Sequence, residues 1–190
     1  MSQFIEHDGY LWVVEKIKGE KVYLRALEPT DLDFLYKLEN DTSVWEVSGT
    51  LKPYSKKVLR LYLDNAHRDI YDVKQLRLCI SNHQDDCIGL IDLFDFDPKH
   101  RRAGIGIVII EPGDRNKGAG AEALSLLCDY AFSTLDLHQL YANILEDNET
   151  SIHLFQKMGF EEIGVKKEWV RTNQGFKNEI MYQKINSNES

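Results

Sequence analysis

Hydrophobic and polar residues repeat with two different periods along the chain, and the two periods separate strands from helices. Around Leu76–Ile80, apolar residues alternate one by one with Arg77 and Cys79, which is typical of a strand. Across 124–132, apolar residues recur at intervals of three and four, as on one face of a helix. A run of branched residues, Gly104–Ile110, predicts a strand that is buried on both faces.

The same patterns predict the order β, α, α, β, β, β, α, β, α, β, β. The other predicted strands are Val22–Leu27, Ile88–Phe96, Leu140–Leu145, Glu161–Val170 and Phe176–Lys184. The predicted helices start at Pro29, run over Ser55–Asp69 and 124–132, and run from an Asn148 cap to Met158, while 40–54 is predicted to be a polar loop. This order indicates an α/β fold with a mixed sheet, antiparallel in its first part and with a βαβ unit in its second.

The length of 190 residues suits one well-packed domain. We predict an N-terminal extension over 1–20, the domain over 21–185 and a flexible tail over 186–190. The segment 10–14 is apolar enough to need cover, so it is expected to add a strand or to pack on a partner.

Composition excludes several classes of function. A net charge of −8 argues against a nucleic-acid or anionic-membrane surface, because phosphate contacts need a basic face. No apolar run approaches the ~20 residues of a membrane helix, and the N-terminus lacks the features of a secretory signal. The three cysteines, Cys79, Cys87 and Cys128, are interpreted as reduced core thiols of a cytoplasmic protein.

Glycines and charged residues separate the buried strand from the helix that follows it. Arg115, Gly118 and Gly120 fall where a helix N-terminus would leave backbone N–H groups unpaired, which favours anion binding. A Walker A loop is excluded, since Ala119 follows Gly118. The dinucleotide fingerprint G-x-G-x-x-A also fits, but seven residues separate Ile110 from Gly118 and too few βαβ units follow. A plain connection that binds nothing is the remaining alternative.

Further motifs downstream strengthen the anion-binding interpretation. The pattern N-x-x-S…F-x-x-M-G-F begins at Asn148 and ends at Phe160, and R-x-x-G-x-G begins at Arg115. Together with YLRALEPTDL, HRRAGIGIVI and NQGFKNEIMY, they make the chain resemble the GNAT superfamily of N-acetyltransferases from Lys21 to Ile185. Within it, the chain resembles the branch of spermidine and ribosomal-protein N-acetyltransferases.

The resemblance implies a cofactor site for acetyl-CoA and no metal. The strand Ile107–Ile110 would splay from its parallel neighbour Leu140–Leu145, and the pantetheine arm would enter the gap. The residues that would then bind the cofactor are the backbone amides of Val108, Ile109 and Ile110, the pyrophosphate loop Arg115, Asn116, Lys117, Gly118, Ala119, Gly120 and Ala121, and Asn148 beside the pantetheine arm.

The implied reaction moves an acetyl group directly from sulfur to a primary amine, with no covalent enzyme intermediate. Relatives carry a tyrosine acid four residues before the Gly-Phe pair, but this chain has Phe155 there, which has no proton to donate. The general base is not identified; the candidates are Asp92 or Asp95 on one strand and Glu146 at the end of another. An apolar-flanked carboxylate would have a raised pKa suited to that role.

The acceptor segment 39–54 sets the expected substrate. Asp41, Glu46 and Tyr54 are the predicted contacts, but Lys52 and Gly104 stand where two anionic positions are common in polyamine acetylases. We therefore expect a polyamine-like amine or a protein N-terminal amine, with homo-oligomers common among such enzymes. The alternative is a catalytically weak or inactive acetyl-CoA sensor.

Overall fold

The computed structural model describes residues 4–7, 10–13, 17–110 and 118–187. A two-stranded antiparallel sheet comes first, and an eight-stranded sheet forms the body of the protein. The strands are β1 (Phe4–His7), β2 (Tyr10–Val13), β3 (Ile17–Lys18), β4 (Tyr23–Ala26), β5 (Leu76–Ser81), β6 (Cys87–Asp97), β7 (Arg102–Ile109), β8 (Gln139–Leu145), β9 (Glu161–Thr172) and β10 (Gly175–Ile185). The large sheet has the order β3-β4-β5-β6-β7-β8-β10-β9.

In the described part of the chain, six α-helices and one 3-10 turn connect the strands. They are α1 (Leu32–Glu39), α2 (Thr42–Ser48), α3 (Lys56–Asp64), α4 (Ile70–Val73), α5 (Ala119–Ser133) and α6 (Glu149–Lys157), with the 3-10 turn over Pro29–Asp31. Only β7 and β8 run parallel among the described pairs, since α5 crosses over between them. The prediction of a mixed α/β sheet with one βαβ unit is confirmed.

The sheet separates two apolar clusters, and alternation along each strand decides which cluster a side chain joins. Leu90 of β6 packs with α1 and α3, whereas its neighbour Ile91 packs with α5 and α6. On the first face, Leu35 and Leu63 are buried. Because both faces of the sheet are covered, β7 consists of an almost continuous run of apolar residues.

Two helix predictions are wrong in their bounds. The stretch 40–54 contains α2, because Asp41 caps it by accepting a hydrogen bond from the Ser43 N–H and Gly49 closes it in a left-handed conformation. The second predicted helix stops at Asp64 rather than continuing to Asp69, and a separate short helix, α4, follows. The Asn65 amide donates to the Leu61 carbonyl at 2.7 Å, which competes with helix continuation.

The prediction of three reduced thiols is also wrong. Cys79 and Cys87 form a disulfide with a Cα–Cα separation of 5.8 Å. Because β5 and β6 form a hairpin, residues eight apart in sequence become diagonal neighbours on one face of the sheet. Cys128 is a free, buried thiol as predicted, and burial raises its pKa to about 12.

The ends of the chain contribute to the structure. The predicted extension contains β1, β2 and β3, and β3 joins the edge of the large sheet. The predicted tail begins at Asn186, which is buried and donates its N–H to the His138 carbonyl at 2.8 Å. Among the described residues, no helix is long and apolar enough to cross a membrane.

Candidate active site

A cleft opens in the middle of the large sheet, where two parallel strands part. Three pairs join β7 to β8, and the last is Gly104 with Tyr141. Beyond this point β7 stays paired with β6 as far as Ile109, and β8 stays paired with β10 as far as Leu145. The gap therefore lies between β7 and β8 alone, and the predicted splay is confirmed.

An aromatic pair forms the closed end of the cleft. Phe94 of β6 lies across from Gly104, and its ring contacts Tyr141 edge to face with centroids 5.9 Å apart. A Cβ atom added to Gly104 would overlap the Phe94 ring. Any side chain at position 104 would therefore have to displace the Phe94 ring.

A cavity of ≈ 260 Å³ occupies the cleft. Both parted strands line it, together with α6, α2 and the β9–β10 hairpin. Its lining residues are Glu46, Phe94, Ile105, Gly106, Ile107, Ala142, Asn143, Ile144, Leu145, Asn148, Ser151, Phe155, Val170 and Glu179. The wall combines apolar side chains with polar groups, including the carboxylates of Glu46 and Glu179, which suits a chain-like ligand that carries a charged group.

Backbone alternation decides which β7 amides face this cleft. The Ile110 N–H donates to the Ile88 carbonyl at 3.2 Å, so it points toward β6. Residues two apart on an antiparallel strand point the same way, so Val108 also faces β6, whereas Ile107 and Ile109 face the cleft side. The expectation that the Val108 and Ile110 amides face the cofactor is therefore corrected, and Ile107 becomes a new candidate.

The glycine loop meets α5 at a left-handed turn. Gly118 caps α5 with φ +87°, and its carbonyl accepts from the Glu122 N–H at 3.0 Å. Ala119, Gly120 and Ala121 form the first turn of the helix, where the unpaired N–H groups lie. Arg115, Asn116 and Lys117 lie outside the described residues, so their predicted pyrophosphate contacts stay predictions.

The Lys21 ammonium lies at this helix start, and sequence patterns did not reveal it. The Glu122 carboxylate accepts hydrogen bonds from the backbone N–H groups of Glu20, Lys21 and Val22, at 2.7, 2.7 and 2.9 Å. This clamp brings the Lys21 side chain to the loop, where a Cβ atom on Gly118 would lie 2.7 Å from Lys21 Nζ. The contact joins residues about a hundred positions apart, so no local motif could have predicted it.

Helix α6 closes the cavity with two of the predicted residues. Asn148 caps the helix through its Oδ1, which accepts from the Ser151 N–H at 3.2 Å, and it lines the cavity as well. Phe155 is 3% exposed and packs edge to face on Phe160 with centroids 5.0 Å apart. Phe155 thus combines core packing with a place in the cavity wall.

Asp92 of β6 lies in the ladder position opposite Gly106 of β7. Its carboxylate accepts from Arg77 Nε at 2.5 Å, and Arg77 also contacts Glu39 at 3.0 Å. Burial raises the pKa of Asp92 above its ordinary value, although the Arg77 charge opposes that shift. A raised pKa suits a carboxylate that acts as a general base.

The other candidate bases occupy different environments. Glu146 accepts from the Asn178 N–H and from its side-chain amide, both at 2.9 Å, and so fixes β10 against the end of β8. Asp95 sits at an irregularity of β6 with φ +49°, is exposed, and accepts from the Tyr141 hydroxyl at 3.3 Å. Both carboxylates have structural partners that account for them.

Only one of the three predicted acceptor residues lines the cavity. Glu46 does so from α2, whereas Asp41 caps that helix through its carboxylate. The backbone of Tyr54 is held by the Asn40 side-chain amide, at 2.9 and 3.1 Å, and Tyr54 packs against the apolar cluster of α1 and α3. Glu179 of β10 also lines the cavity, which sequence reasoning missed.

Asp31, Cys79 and Cys87 bring potential metal-ligand atoms within 4.8 Å of one another. The two sulfurs are joined to each other, and Arg25 donates to both oxygens of Asp31, at 2.7 and 2.8 Å. Burial opposes ionisation of Asp31, but the hydrogen bonds from Arg25 and the Glu28 N–H outweigh it and hold its pKa below the ordinary value. These groups are therefore already engaged in covalent and ionic contacts.

Comparison with known proteins agrees with this geometry. The family model of the acetyltransferase (GNAT) domain matches residues 21–161. The spermidine N(1)-acetyltransferase of Vibrio cholerae serotype O1 is 33% identical over 146 residues, which cover 77% of this chain and 82% of that protein. The Escherichia coli K12 spermidine N(1)-acetyltransferase is 34% identical over 146 residues, covering 77% of this chain and 76% of that protein.

Solved structures are similar over most of their length. The Vibrio cholerae spermidine N-acetyltransferase in complex with CoA and spermine superposes with a TM-score of 0.77 at 28% identity, covering 87% of this chain and 95% of that one. A dodecameric structure of the same enzyme gives a TM-score of 0.72 at 30% identity, covering 87% and 94%.

The parted strands, the glycine-capped helix and these matches define an acyl-transferring fold, and the chain belongs to the GNAT acetyltransferase family. It is an acetyl-CoA-dependent N-acetyltransferase that moves an acetyl group to an amine. The resemblance found in the sequence is thereby confirmed.

The two glycines of the loop should respond differently to alanine. Gly118→Ala should lower the free energy of unfolding by about 1 kcal/mol, because φ is positive and the new Cβ would meet Lys21 Nζ. Gly120→Ala is the matched control: its Cβ would find only ordinary contacts from 3.5 Å, and alanine favours the helix. Urea denaturation measures both, and equal losses would contradict the assigned loop conformation.

Phe155→Tyr should raise kcat, by up to roughly tenfold, if the hydroxyl supplies a proton to the departing thiolate. The ring borders the cavity, so a tyrosine there stands beside the reacting groups. Phe160→Tyr is the control, since Phe160 packs on the same ring but is absent from the cavity wall. Steady-state thiol release measures kcat, and an unchanged or lower value in Phe155→Tyr would show that the enzyme has another route.

Proposed function

We propose that the enzyme acetylates a primary amine that carries further positive charge, as a polyamine does, by direct transfer within the β7–β8 cleft. The observation that carries this proposal is the placement of two carboxylates, Glu46 and Glu179, in the wall of the cavity that the parted strands open. Relatives named as spermidine N-acetyltransferases support the same acceptor class.

The backbone of β7 supplies the polar groups for the reacting carbonyl. When bound, acetyl-CoA supplies the activated thioester. The Ile107 N–H lies on the cleft side of the strand and would stabilise the oxyanion by hydrogen bonding. The unpaired N–H groups at the start of α5, with Arg115 and Lys21, would hold the phosphates.

Among the candidate bases Asp92, Asp95 and Glu146, Asp92 is the best placed. It lies opposite Gly106, a residue of the cavity wall, and burial raises its pKa toward values useful for a base. A bridging water would carry the proton from the ammonium form of the acceptor. Glu146 already holds Asn178, so its position is explained without a role in proton transfer.

The departing thiolate needs only modest help from an acid. A thiol titrates near 8.5, so the anion is tolerable at neutral pH. Because Phe155 cannot donate a proton, we infer that solvent protonates the sulfur as the cofactor leaves.

We propose further that the chain acts in the cytoplasm and forms a homo-oligomer. A related enzyme crystallises as a dodecamer. On the β9–β10 hairpin, Trp169 and Phe176 are 62% and 61% exposed to solvent. Exposed aromatic side chains of this size support a subunit contact on this side.

An amine panel tests the proposed acceptor. Thiol release should be greatest with spermidine or spermine, lower with a monoalkylamine, and lower again with a peptide that has a free N-terminus. Glu46→Gln should raise the KM for spermidine by roughly two- to fivefold with little change in kcat, since it removes a partly exposed charge.

Asp33→Asn is the matched control, because Asp33 is also an exposed carboxylate paired with a lysine but lies outside the cavity. A preference for the peptide would indicate that the acceptor is a protein N-terminal amine instead of a polyamine. Binding of CoA without turnover on any amine would contradict a working transferase.

A further inference from the structure

Two lysines of the enzyme form ion pairs with the two carboxylates that line the acceptor cavity. Glu46 is ion-paired with Lys177, and Glu179 is ion-paired with Lys166 at 2.6 Å. Both lysines come from the β9–β10 hairpin. The two carboxylates that line the cavity are therefore both neutralised from the same side.

The Lys177 contact joins parts of the site that lie far apart in sequence. Lys177 Nζ donates to Glu46 of α2 and also contacts Asp147 at 2.7 Å. Asp147 directly precedes Asn148, which caps α6 and lines the cavity. One ammonium group thus bridges the acceptor segment and the entry of the helix beside the cofactor cleft.

The Lys177 group remains a cation in this setting. Hydrogen bonds to Asp147 and Glu46 raise its pKa above the ordinary lysine value, so it is protonated at any pH at which the enzyme would work. A protonated amine cannot attack a thioester. Lys177 therefore resembles the distal ammonium of a polyamine, which binds carboxylates without reacting.

The two lysines differ in how firmly they are held. Lys166 also contacts the Asn143 oxygen at 2.9 Å and lies over the Trp169 ring. Within the described part of the chain, Lys177 pairs only with the carboxylates of Glu46 and Asp147, and both are partly exposed, at 38% and 55%. Exchange with a soluble cation is easier where water already reaches the pair.

We propose that Lys177 is a built-in competitor that occupies the binding site for the second ammonium group of the acceptor, so that a polyamine binds by displacing it. This inference rests on the proposed polyamine-like acceptor. A monoamine has no second charge and leaves the Lys177 contacts in place. Lys177 therefore sets how strongly the enzyme distinguishes polyamines from monoamines.

Lys177→Met tests the proposal through KM. At low ionic strength the KM for spermidine should fall by roughly two- to fivefold, the factor expected when one exposed ion pair no longer has to be broken. The KM for a monoalkylamine and the kcat for both should stay within about twofold of the parent enzyme. The spermidine effect should fade in 0.5 M salt, because screening weakens exposed charge pairs.

Two further variants separate local from general effects. Lys56→Met removes a lysine that is ion-paired with Asp33 outside the cavity, so it changes net charge equally and should leave the KM unaltered. Lys177→Arg keeps the positive charge and should keep the parent KM. Calorimetric titration of spermidine into each protein without cofactor should show the same order of affinity.

The possible outcomes can be told apart. If the parent enzyme acetylates spermidine but Lys177→Met raises its KM or leaves it unchanged, the competitor role is wrong while the proposed function stands. An equal fall in KM for the monoamine would also overturn it, as would acetylation of Lys177 itself by acetyl-CoA, detected by mass spectrometry. If the parent enzyme acetylates no amine, the proposed function fails first.

Discussion

The site depends on a parallel ladder that stops after three pairs. Gly104 and Tyr141 form the last pair, and the Phe94 ring fills the space above the glycine. Each parted strand keeps its other neighbour, so the sheet stays intact on both sides of the gap. Backbone groups that a closed ladder would have satisfied become available to a ligand that can pair like a strand.

The site also requires charge balance in the wall of its cavity. An acceptor with several ammonium groups needs carboxylates, but carboxylates in a partly buried wall need compensation while the acceptor is absent. The β9–β10 hairpin provides it through Lys166 and Lys177. These lysines hold both carboxylates of the cavity wall, Glu179 and Glu46, in ion pairs while the acceptor is absent.

The sequence predicted features that depend on local spacing. The Asn148 cap, the placement of Gly118 and Gly120 at the start of α5 and the core face of α5 each follow from neighbours within a few residues. The splay itself came from the family resemblance, because nothing in an apolar run such as Ile105–Ile109 shows where pairing ends.

Features that join distant segments were missed. The Lys177–Glu46 pair spans 131 residues, and the Glu122 clamp spans about a hundred. The disulfide could not be predicted without the register of the β5–β6 hairpin, because strand propensity does not show which residues of two strands lie next to each other. Helix α2 is different, because local residues could have predicted it. Asp41 and Gly49 are typical residues for the two ends of a helix, but the segment 40–54 is polar and is predicted to be a loop.

Amide hydrogen exchange at single-residue resolution tests the parted strands most directly. On addition of CoA, the Ile107 N–H should gain protection, because it faces the cleft, whereas the Ile110 N–H, already bonded to Ile88, should change little. If CoA binds and the Ile107 amide exchanges as fast as before, the cofactor lies elsewhere and the assignment of this cleft is contradicted.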